Sequence, residues 1–158
     1  MCAGAAAYAS HKKTGVKTGE TLAIFGLGGL GQYAIQIAKL SGVRVIAIDV
    51  SEGKLATAKA LGADEVVVAD ENAGAAIQAF GGAQGCVNFA PVGATWPLML
   101  AACNPRATIV LTAVPADKFA SYTYDAVPYT TLTLPTNSIV YIAVDVRASY
   151  YTHTTANN

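Results

Sequence analysis

The chain has 158 residues, of which 53% are hydrophobic and 13% charged, with ten basic residues balanced by ten acidic ones. This length allows one domain with a sizeable core, and the balanced charge argues against nucleic acid as a partner, because phosphate binding needs a basic face. No apolar run approaches the roughly 18 residues of a membrane helix, and the N-terminus lacks a secretory signal pattern. Cys2, Cys86 and Cys103 form an odd, widely spaced set that suits a reducing compartment, so we expect a cytoplasmic protein without a disulfide framework.

Short apolar runs recur along the chain and predict the strands of a sheet. Their near-continuous hydrophobicity, rather than an alternation with polar residues, is typical of strands buried on both faces. A surface that a partner covers would also raise the hydrophobic content, so at this point both explanations are open. The predicted strands span residues 21–25, 43–49, 65–69, 86–90, 107–113 and 138–144.

Helical patterns separate these runs, which predicts βαβ crossovers and an α/β fold with a doubly wound parallel sheet. Ser51 is placed to cap the helix after the second strand, and Asp70 to cap the helix after the third. Glycine follows the predicted ends of two helices, at Gly42 and Gly62. The predicted helices span residues 1–13, 29–40, 51–61, 70–80 and 94–103.

The composition changes at about residue 118, after which tyrosine, threonine and β-branched residues are frequent and charges are few. Residues 114–137 are too many for an ordinary connection, so this segment is expected to be functional, to be partly mobile, or to contain a further strand such as TTLTL (130–134). We therefore divide the chain into a junction helix and turn (1–20), a main domain (21–147) and a polar tail (148–158) that is a candidate for disorder.

A GxGxxG motif runs from Gly26 to Gly31, directly after a predicted strand and at the start of a predicted helix. In that context the motif indicates a dinucleotide-binding loop. Gly26 would make the tight turn, Gly28 would let the backbone approach a pyrophosphate, and Gly31 would let the helix pack close to the strand. The free N–H groups at the helix N-terminus would then face the phosphates.

Asp49 ends the second predicted strand, 18 residues after Gly31, where this type of site carries an acid that binds ribose. Its carboxylate could accept hydrogen bonds from both ribose hydroxyls and would repel the 2′-phosphate of NADP. Val50 and Ser51 follow, so no basic residue stands directly after the acid. The pattern therefore favours NAD over NADP. The alternative interpretation is a glycine-rich turn beside a solvated aspartate.

Five stretches of the chain resemble the cofactor domain of the zinc-dependent medium-chain alcohol dehydrogenases. The resemblance covers roughly residues 1–118. It implies a Rossmann fold with strand order 3-2-1-4-5-6 and hydride transfer between an alcohol and a carbonyl compound with NAD. The matching stretches are MCAGAAAY (1–8), GVKTGE (15–20), AIFGLGGLGQYAIQIAK (23–39), RVIAIDVSEGKLATAKALGADEVV (44–67) and IVLTAVP (109–115).

The resemblance implies a set of cofactor-binding residues. Asp49 would hold the adenosine ribose, and Lys54, five residues later, matches a family lysine that contacts the same ribose. The main domain, 21–147, is accordingly expected to bind NAD(H). The residues assigned to the glycine loop are Gly26, Gly28, Gly29, Leu30 and Gly31.

Two further groups are assigned by the same resemblance. Thr112, Ala113 and Val114 end the fifth predicted strand, where backbone groups of the family hold the nicotinamide amide. Ala113 departs from the usual Val-Gly and could crowd that pocket. Arg147 resembles the arginine of a family VGTR motif that reaches the pyrophosphate, but Asp145 replaces the glycine.

Cys2 matches the cysteine of the family's CAG motif, one of three protein ligands of the catalytic zinc. The other two ligands, a cysteine and a histidine, belong to an N-terminal substrate domain that this sequence does not contain. Only His11 and His153 could replace them, and no motif places either one. Since an open catalytic zinc site needs three protein ligands, we expect Cys2 to be an orphaned ligand or simply an N-terminal thiol, and zinc not to be bound by this chain.

Five other residues receive structural interpretations. Cys86 and Cys103 are read as small core residues, and Trp96 as packing at a helix start. Asn88 lies in an apolar strand and needs a hydrogen-bond partner there, which favours a structural role over cofactor contact. His11 is expected to be solvated near the end of the first helix.

Three functions stay open on the sequence. The first is the NAD(H)-binding part of an alcohol dehydrogenase-like oxidoreductase, inactive or nearly so without a substrate domain. The second is a small stand-alone NAD-dependent reductase, and the third is a non-catalytic or redesigned nucleotide-binding module. Because MCAG lies in mid-sequence in the family, the chain is expected to be an excised domain, a fragment or an engineered minimal form. Residues 138–144 are expected to form an edge strand through which two copies pair.

Overall fold

The computed structural model of the protein describes residues 2–113 and 143–145. Helices and strands alternate along the chain as the sequence predicts. The helices are α1 (Cys2–Thr14), α2 (Gly29–Leu40), α3 (Glu52–Ala60), α4 (Ala73–Ala79) and α5 (Thr95–Ala102). The strands are β1 (Thr21–Phe25), β2 (Arg44–Asp49), β3 (Glu65–Val68), β4 (Ala83–Asn88), β5 (Cys103–Leu111) and β6 (Ala143–Asp145).

The described strands form one sheet in the order β3-β2-β1-β4-β5-β6. Strands β1 to β5 are parallel, so the predicted α/β fold with a doubly wound sheet and the strand order 3-2-1-4-5-6 are confirmed. The chain order reverses direction at β1, which places a crevice at the carboxyl ends of β1 and β4.

The sixth strand departs from the predicted parallel arrangement. Strand β6 runs antiparallel to β5, with Thr108 opposite Asp145 and Val110 opposite Ala143. An antiparallel neighbour does not require the long crossover that a parallel strand needs to return to the same edge. Of the predicted strand 138–144, residues 138–142 lie outside the described residues, as does the polar tail 148–158. Pairing of two copies through this segment stays a prediction.

The sheet is covered on both faces by apolar side chains. Along β1, Leu22 and Ile24 belong to the cluster that α1, α2 and α3 cover, and Ala23 and Phe25 belong to the cluster that α4 and α5 cover. All four side chains are fully buried. The doubly covered sheet therefore explains much of the hydrophobic content of the chain. None of the helices between residues 2 and 113 has the length and hydrophobicity that a bilayer crossing requires.

The two predicted caps differ from what the structure shows. Ser51 occupies the N-cap position of α3, but its hydroxyl makes no capping hydrogen bond. Its amide instead donates to Asp49 Oδ1 at 3.0 Å, which ties this turn to the carboxylate at the end of β2. Asp70 lies before the N-cap of α4, which is Asn72, and accepts the Asn72 amide at 2.8 Å. Neither side chain caps a helix: Asp70 shapes a turn through its carboxylate, and Ser51 takes part in a turn through its backbone amide.

The interpretation of His11 as a solvated residue is wrong. Its side chain is 5% exposed, because α1 packs against the C-terminal end of α2. His11 Nε2 lies 3.1 Å from Ser41 Oγ, and that hydroxyl donates to the carbonyl of Ile37. This network assigns the proton to Nε2 and leaves Nδ1 buried, without a hydrogen-bond partner in the part of the chain that the structure describes.

Burial, and then the nearby charge of Lys12, lower the pKa of His11. The unfolded chain therefore binds a proton at a higher pH than the folded chain does. We expect the free energy of unfolding to fall as the pH drops below the unfolded value of about 6.5, with a slope of at most about 1.4 kcal/mol per pH unit. Urea unfolding between pH 8 and pH 5 measures the slope. The variant His11→Gln should lose this part of it, and an unchanged slope would contradict the assignment.

Candidate cofactor site

A cavity of about 380 Å³ opens at the carboxyl ends of β1, β2 and β4. The glycine loop and Asp49 form one side of it. The loop between β4 and α5 forms the other side, with Phe89, Pro91 and Val92 in the wall. The floor and walls are mostly apolar and surround a few polar groups, which is typical of a small-molecule site. The cavity thus lies where an open α/β sheet binds ligands.

Two glycines of the loop are required by close packing. Gly26 has a φ of +87°, and a Cβ atom there would lie 2.7 Å from the Ala90 nitrogen. At Gly31 a Cβ atom would collide with the carbonyl oxygen of Gly26. Gly26 makes the predicted tight turn. Gly31 was predicted to let the helix pack close to the strand, and the atom it approaches is the carbonyl oxygen of Gly26, directly after β1.

The middle of the loop is open. A Cβ atom at Gly28 or Gly29 would meet no atom within 4 Å. Gly28 is the N-cap of α2 and supplies no capping side chain, so the amides of the first turn have no partner from this residue. The positive end of a twelve-residue helix therefore faces an open space beside the cavity, and this arrangement suits a phosphate group.

Asp49 is buried at the end of β2, with 6% of its surface exposed. Its Oδ2 accepts the Leu27 amide at 2.8 Å, and its Oδ1 accepts the Ser51 amide. Lys54 Nζ lies 3.4 Å from Oδ2. Burial by itself raises the pKa of Asp49, but the two amides and the lysine together lower it by a larger amount. The net shift of the pKa is therefore downward, and the carboxylate is ionised. The structure thus brings Asp49 and Lys54 together beside the glycine loop, as the sequence predicts.

The end of β5 is held from two sides. The amides of Thr112 and Ala113 donate to the Asn88 carbonyl at 3.0 and 3.2 Å, so among their backbone groups only the carbonyls could face a ligand. Thr112 Oγ1 lies 2.7 Å from Ser10 Oγ, and Ser10 donates to Ala6 in α1. The pairing of Ser10 with Thr112 could not be predicted from the sequence, because the two residues are 102 positions apart. Val114 and Arg147 lie outside the described residues.

The residues that the sequence assigned to packing are found in the core. The side-chain amide of Asn88 donates to the Ala90 carbonyl at 2.9 Å, and its oxygen accepts the Ala90 amide at 3.0 Å. Its structural role is therefore confirmed, and it shapes the loop that forms one wall of the cavity. Trp96, Cys86 and Cys103 are buried in the cluster under α4 and α5.

Within residues 2–113 and 143–145, no three histidine, cysteine or acidic side chains come together as a metal site would require. The Cys2 side chain is not among those that the structure describes, and His153 lies outside the described residues. The described residues alone therefore do not fit a zinc ion.

Fold and site together define a class of protein: a dinucleotide-binding α/β domain with a glycine loop at its switch point. A family model for zinc-binding dehydrogenases matches residues 29–153. The chain belongs to this family, and it corresponds to the NAD-binding portion of an alcohol dehydrogenase-like protein.

Similar proteins agree with this assignment. An alcohol dehydrogenase from Geobacillus stearothermophilus is 52% identical over 42% of this chain and 20% of its own length. The alcohol dehydrogenase notN of an Aspergillus strain is 44% identical over 63% of the chain and 30% of its own length. The chain thus spans less than a third of either relative.

Among solved structures, the alcohol dehydrogenase of Aeropyrum pernix matches with a TM-score of 0.69 and 30% identity. The match covers 73% of this chain and 35% of that protein. A zinc-binding dehydrogenase structure from Clostridium scindens has a TM-score of 0.70 at 25% identity, and the match covers 74% of this chain and 34% of that one. The fold described above is therefore the fold of one part of these larger enzymes.

Proposed function

We propose that this chain binds NAD(H) and serves as the cofactor half of an oxidoreductase that transfers hydride between an alcohol and an aldehyde or ketone. The observation that carries the proposal is the ionised, buried Asp49 fastened to the glycine loop through the Leu27 amide. This bond fixes the distance between the acid and the open helix N-terminus. A dinucleotide needs both groups at once, the acid for its ribose and the helix end for its pyrophosphate.

Each part of the site has a separate task in this proposal. The open backbone at Gly28, Gly29 and Leu30 would receive the pyrophosphate, with Arg147 as a further cationic contact. The carbonyl groups of Thr112 and Ala113, together with Val114, would hold the nicotinamide amide at the end of β5. The bound nicotinamide supplies or accepts the hydride, and the protein orients it and excludes water.

Selectivity for NAD over NADP would come from Asp49. Its oxygens can accept hydrogen bonds from ribose hydroxyls, while its charge repels a 2′-phosphate. Lys54 is half exposed at 49% and pairs with Oδ2 of the same carboxylate. A lysine in this position can donate to a ribose oxygen while it stays beside the acid, so its charge is balanced before any ligand binds.

We propose that zinc, which the family implies as a cofactor, is not held by this chain alone. The described residues do not form a metal site, and the other family ligands belong to a substrate domain. We propose that this substrate domain is the main protein partner, that residues 21–147 are the cofactor domain, and that the protein works in the cytoplasm.

Calorimetric titration of the chain with NADH tests the proposal. We expect saturable binding with one site per chain, and ADP-ribose should compete, because it carries the ribose and pyrophosphate groups that the site contacts. NADPH should bind more weakly than NADH. No heat of binding at millimolar NADH would refute the proposed function. Reduction of an aldehyde by the chain alone, insensitive to a chelator, would instead favour a stand-alone reductase.

A further inference from the structure

Two cysteines that the cofactor site does not use face each other inside the domain. Cys86 Sγ and Cys103 Sγ are 3.1 Å apart. Cys86 is fully buried in β4, and Cys103 is 4% exposed at the start of β5. Both are free thiols. Only about 1 Å of approach separates the two sulfur atoms from the length of a disulfide bond, which is about 2.05 Å.

An irregularity in the pairing of β4 with β5 produces this contact. Cys103 pairs with Ala83, whereas Thr108 pairs with Gly85, so the residues between Cys103 and Thr108 form a bulge. Arg106 in this bulge has a φ of 70°, in the left-handed region. A regular ladder would carry Cys103 away from Cys86, and the bulge keeps it beside β4. The backbone conformation of β5 therefore brings the two thiols together.

We propose that Cys86 and Cys103 form a reversible intramolecular disulfide. The bond forms by thiol–disulfide exchange with a small-molecule disulfide such as oxidised glutathione. Cys103 is the attacking group, because it is 4% exposed and precedes the exposed residues Pro105 and Arg106, whereas Cys86 is fully buried. Its thiolate attacks a glutathione sulfur, and one glutathione leaves with the proton. Cys86 then attacks the Cys103 sulfur of the mixed disulfide and displaces the second glutathione. Two protein thiols are oxidised, and one glutathione disulfide is reduced to two thiols.

The bond would close a loop that contains α5 and the segment lining one wall of the cofactor cavity. The two cysteines are 17 positions apart, so the crosslink removes conformational freedom mainly from the unfolded chain. The hydrogen bond that the Cys86 thiol donates to Cys103, and then burial, raise the pKa of the Cys86 thiol. Cys86 therefore suits the second step, where it attacks a sulfur already held against it, better than the first.

The test compares the folded and the unfolded chain in the same glutathione buffers. The Cys2→Ser variant is used, so that Cys86 and Cys103 are the only thiols. Both lie in one tryptic peptide, residues 60–106, and mass spectrometry after alkylation measures the oxidised fraction. We expect the equilibrium constant for disulfide formation to be at least about ten times larger in the folded chain than in urea. By linkage, a tenfold ratio means that the oxidised protein should melt at least roughly 3–6 °C higher than the reduced protein.

A ratio of one or less would overturn the proposal, because the fold would then oppose the bond. Disulfides between two chains, in place of the internal one, would also overturn it. Cys103→Ala is the matched control and should yield no oxidised peptide other than the mixed disulfide of Cys86. The main measurement needs no change in the core, so it does not depend on the folding of that variant. NADH binding is a separate measurement, so failure here leaves the proposed function intact.

Discussion

Replacing Asp49 with alanine is expected to weaken NADH binding by about 100-fold while NADPH binding changes little. A hydrogen bond to a charged group contributes about 1.5–3 kcal/mol, and removal of Asp49 deletes its bonds to the ribose. The Leu27 amide, now held by Oδ2 at 2.8 Å, also loses its acceptor, so the loop is less well ordered. For NADPH the lost bonds are offset by the removal of the repulsion from the 2′-phosphate.

Asp64 provides a matched control for this variant. Like Asp49, it accepts a backbone amide, from Val45 at 2.7 Å, and it pairs with a lysine, Lys39, at 2.8 Å. Burial raises its pKa, but Lys39 and the Val45 amide lower it more, so Asp64 is also ionised. It lies before β3 and bonds the start of β2, at the opposite end of the strands from the cavity.

We therefore expect Asp64→Ala to lower the free energy of unfolding by an amount similar to Asp49→Ala and to leave NADH affinity unchanged. Calorimetric titrations with NADH and NADPH, together with urea unfolding, separate the two effects. Equal losses of NADH affinity in both variants would mean that Asp49 acts only through stability. An unchanged ratio of NADH to NADPH affinity in Asp49→Ala would remove Asp49 from the ribose site.

The glycine loop and its acid could be predicted from the sequence because their signals are local. The strand, the loop from Gly26 to Gly31, the helix and Asp49 lie within 29 consecutive residues, from Thr21 to Asp49, and each constrains the next. Strand β1 and helix α2 have the predicted bounds. Gly31, whose Cβ would collide with the carbonyl of Gly26, could be recognised from its spacing in the GxGxxG motif alone. The same spacing recurs wherever a helix packs this close to a strand.

Contacts between distant residues could not be predicted in the same way. Ser10 meets Thr112, His11 meets Ser41 and Cys86 meets Cys103 only after α1 and the bulge of β5 have packed onto the sheet. None of these pairs has a characteristic spacing. His11 was expected to be solvated because it lies near the end of α1, yet its own side of α1 faces α2. The antiparallel direction of β6 could not be predicted either, because an apolar run does not indicate whether its strand lies parallel or antiparallel to its neighbour.

Gly31→Ala is expected to lower the free energy of unfolding by about 3 kcal/mol and to abolish measurable NADH binding. The new Cβ would collide with the carbonyl oxygen of Gly26, a backbone atom that can move only if the loop moves. Overpacking of this kind typically costs about 1–3 kcal/mol and more when backbone must shift. Because the displaced loop is also the phosphate site, stability and affinity should fall together.

Two neighbouring glycines separate packing from ligand contact. Neither Gly28 nor Gly29 has an atom within 4 Å of an added Cβ. Gly29→Ala should leave stability unchanged or raise it by up to about 1 kcal/mol, because alanine favours a helix and Gly29 begins α2. Gly28→Ala should also fold normally, since its φ of −70° suits alanine, but it should lose at least about tenfold in NADH affinity. There the methyl group fills the space that a pyrophosphate needs.

Urea unfolding and NADH titration should therefore separate Gly31→Ala from Gly28→Ala, although each variant adds only one methyl group to the same turn. Loss of affinity at Gly28 without loss of stability is the result that only a ligand above the loop can explain. Full NADH affinity in Gly28→Ala would place the pyrophosphate elsewhere, even if the chain bound NADH. Normal stability of Gly31→Ala would show that the loop can shift away from α2, so that its close approach is not what holds the helix N-terminus in position.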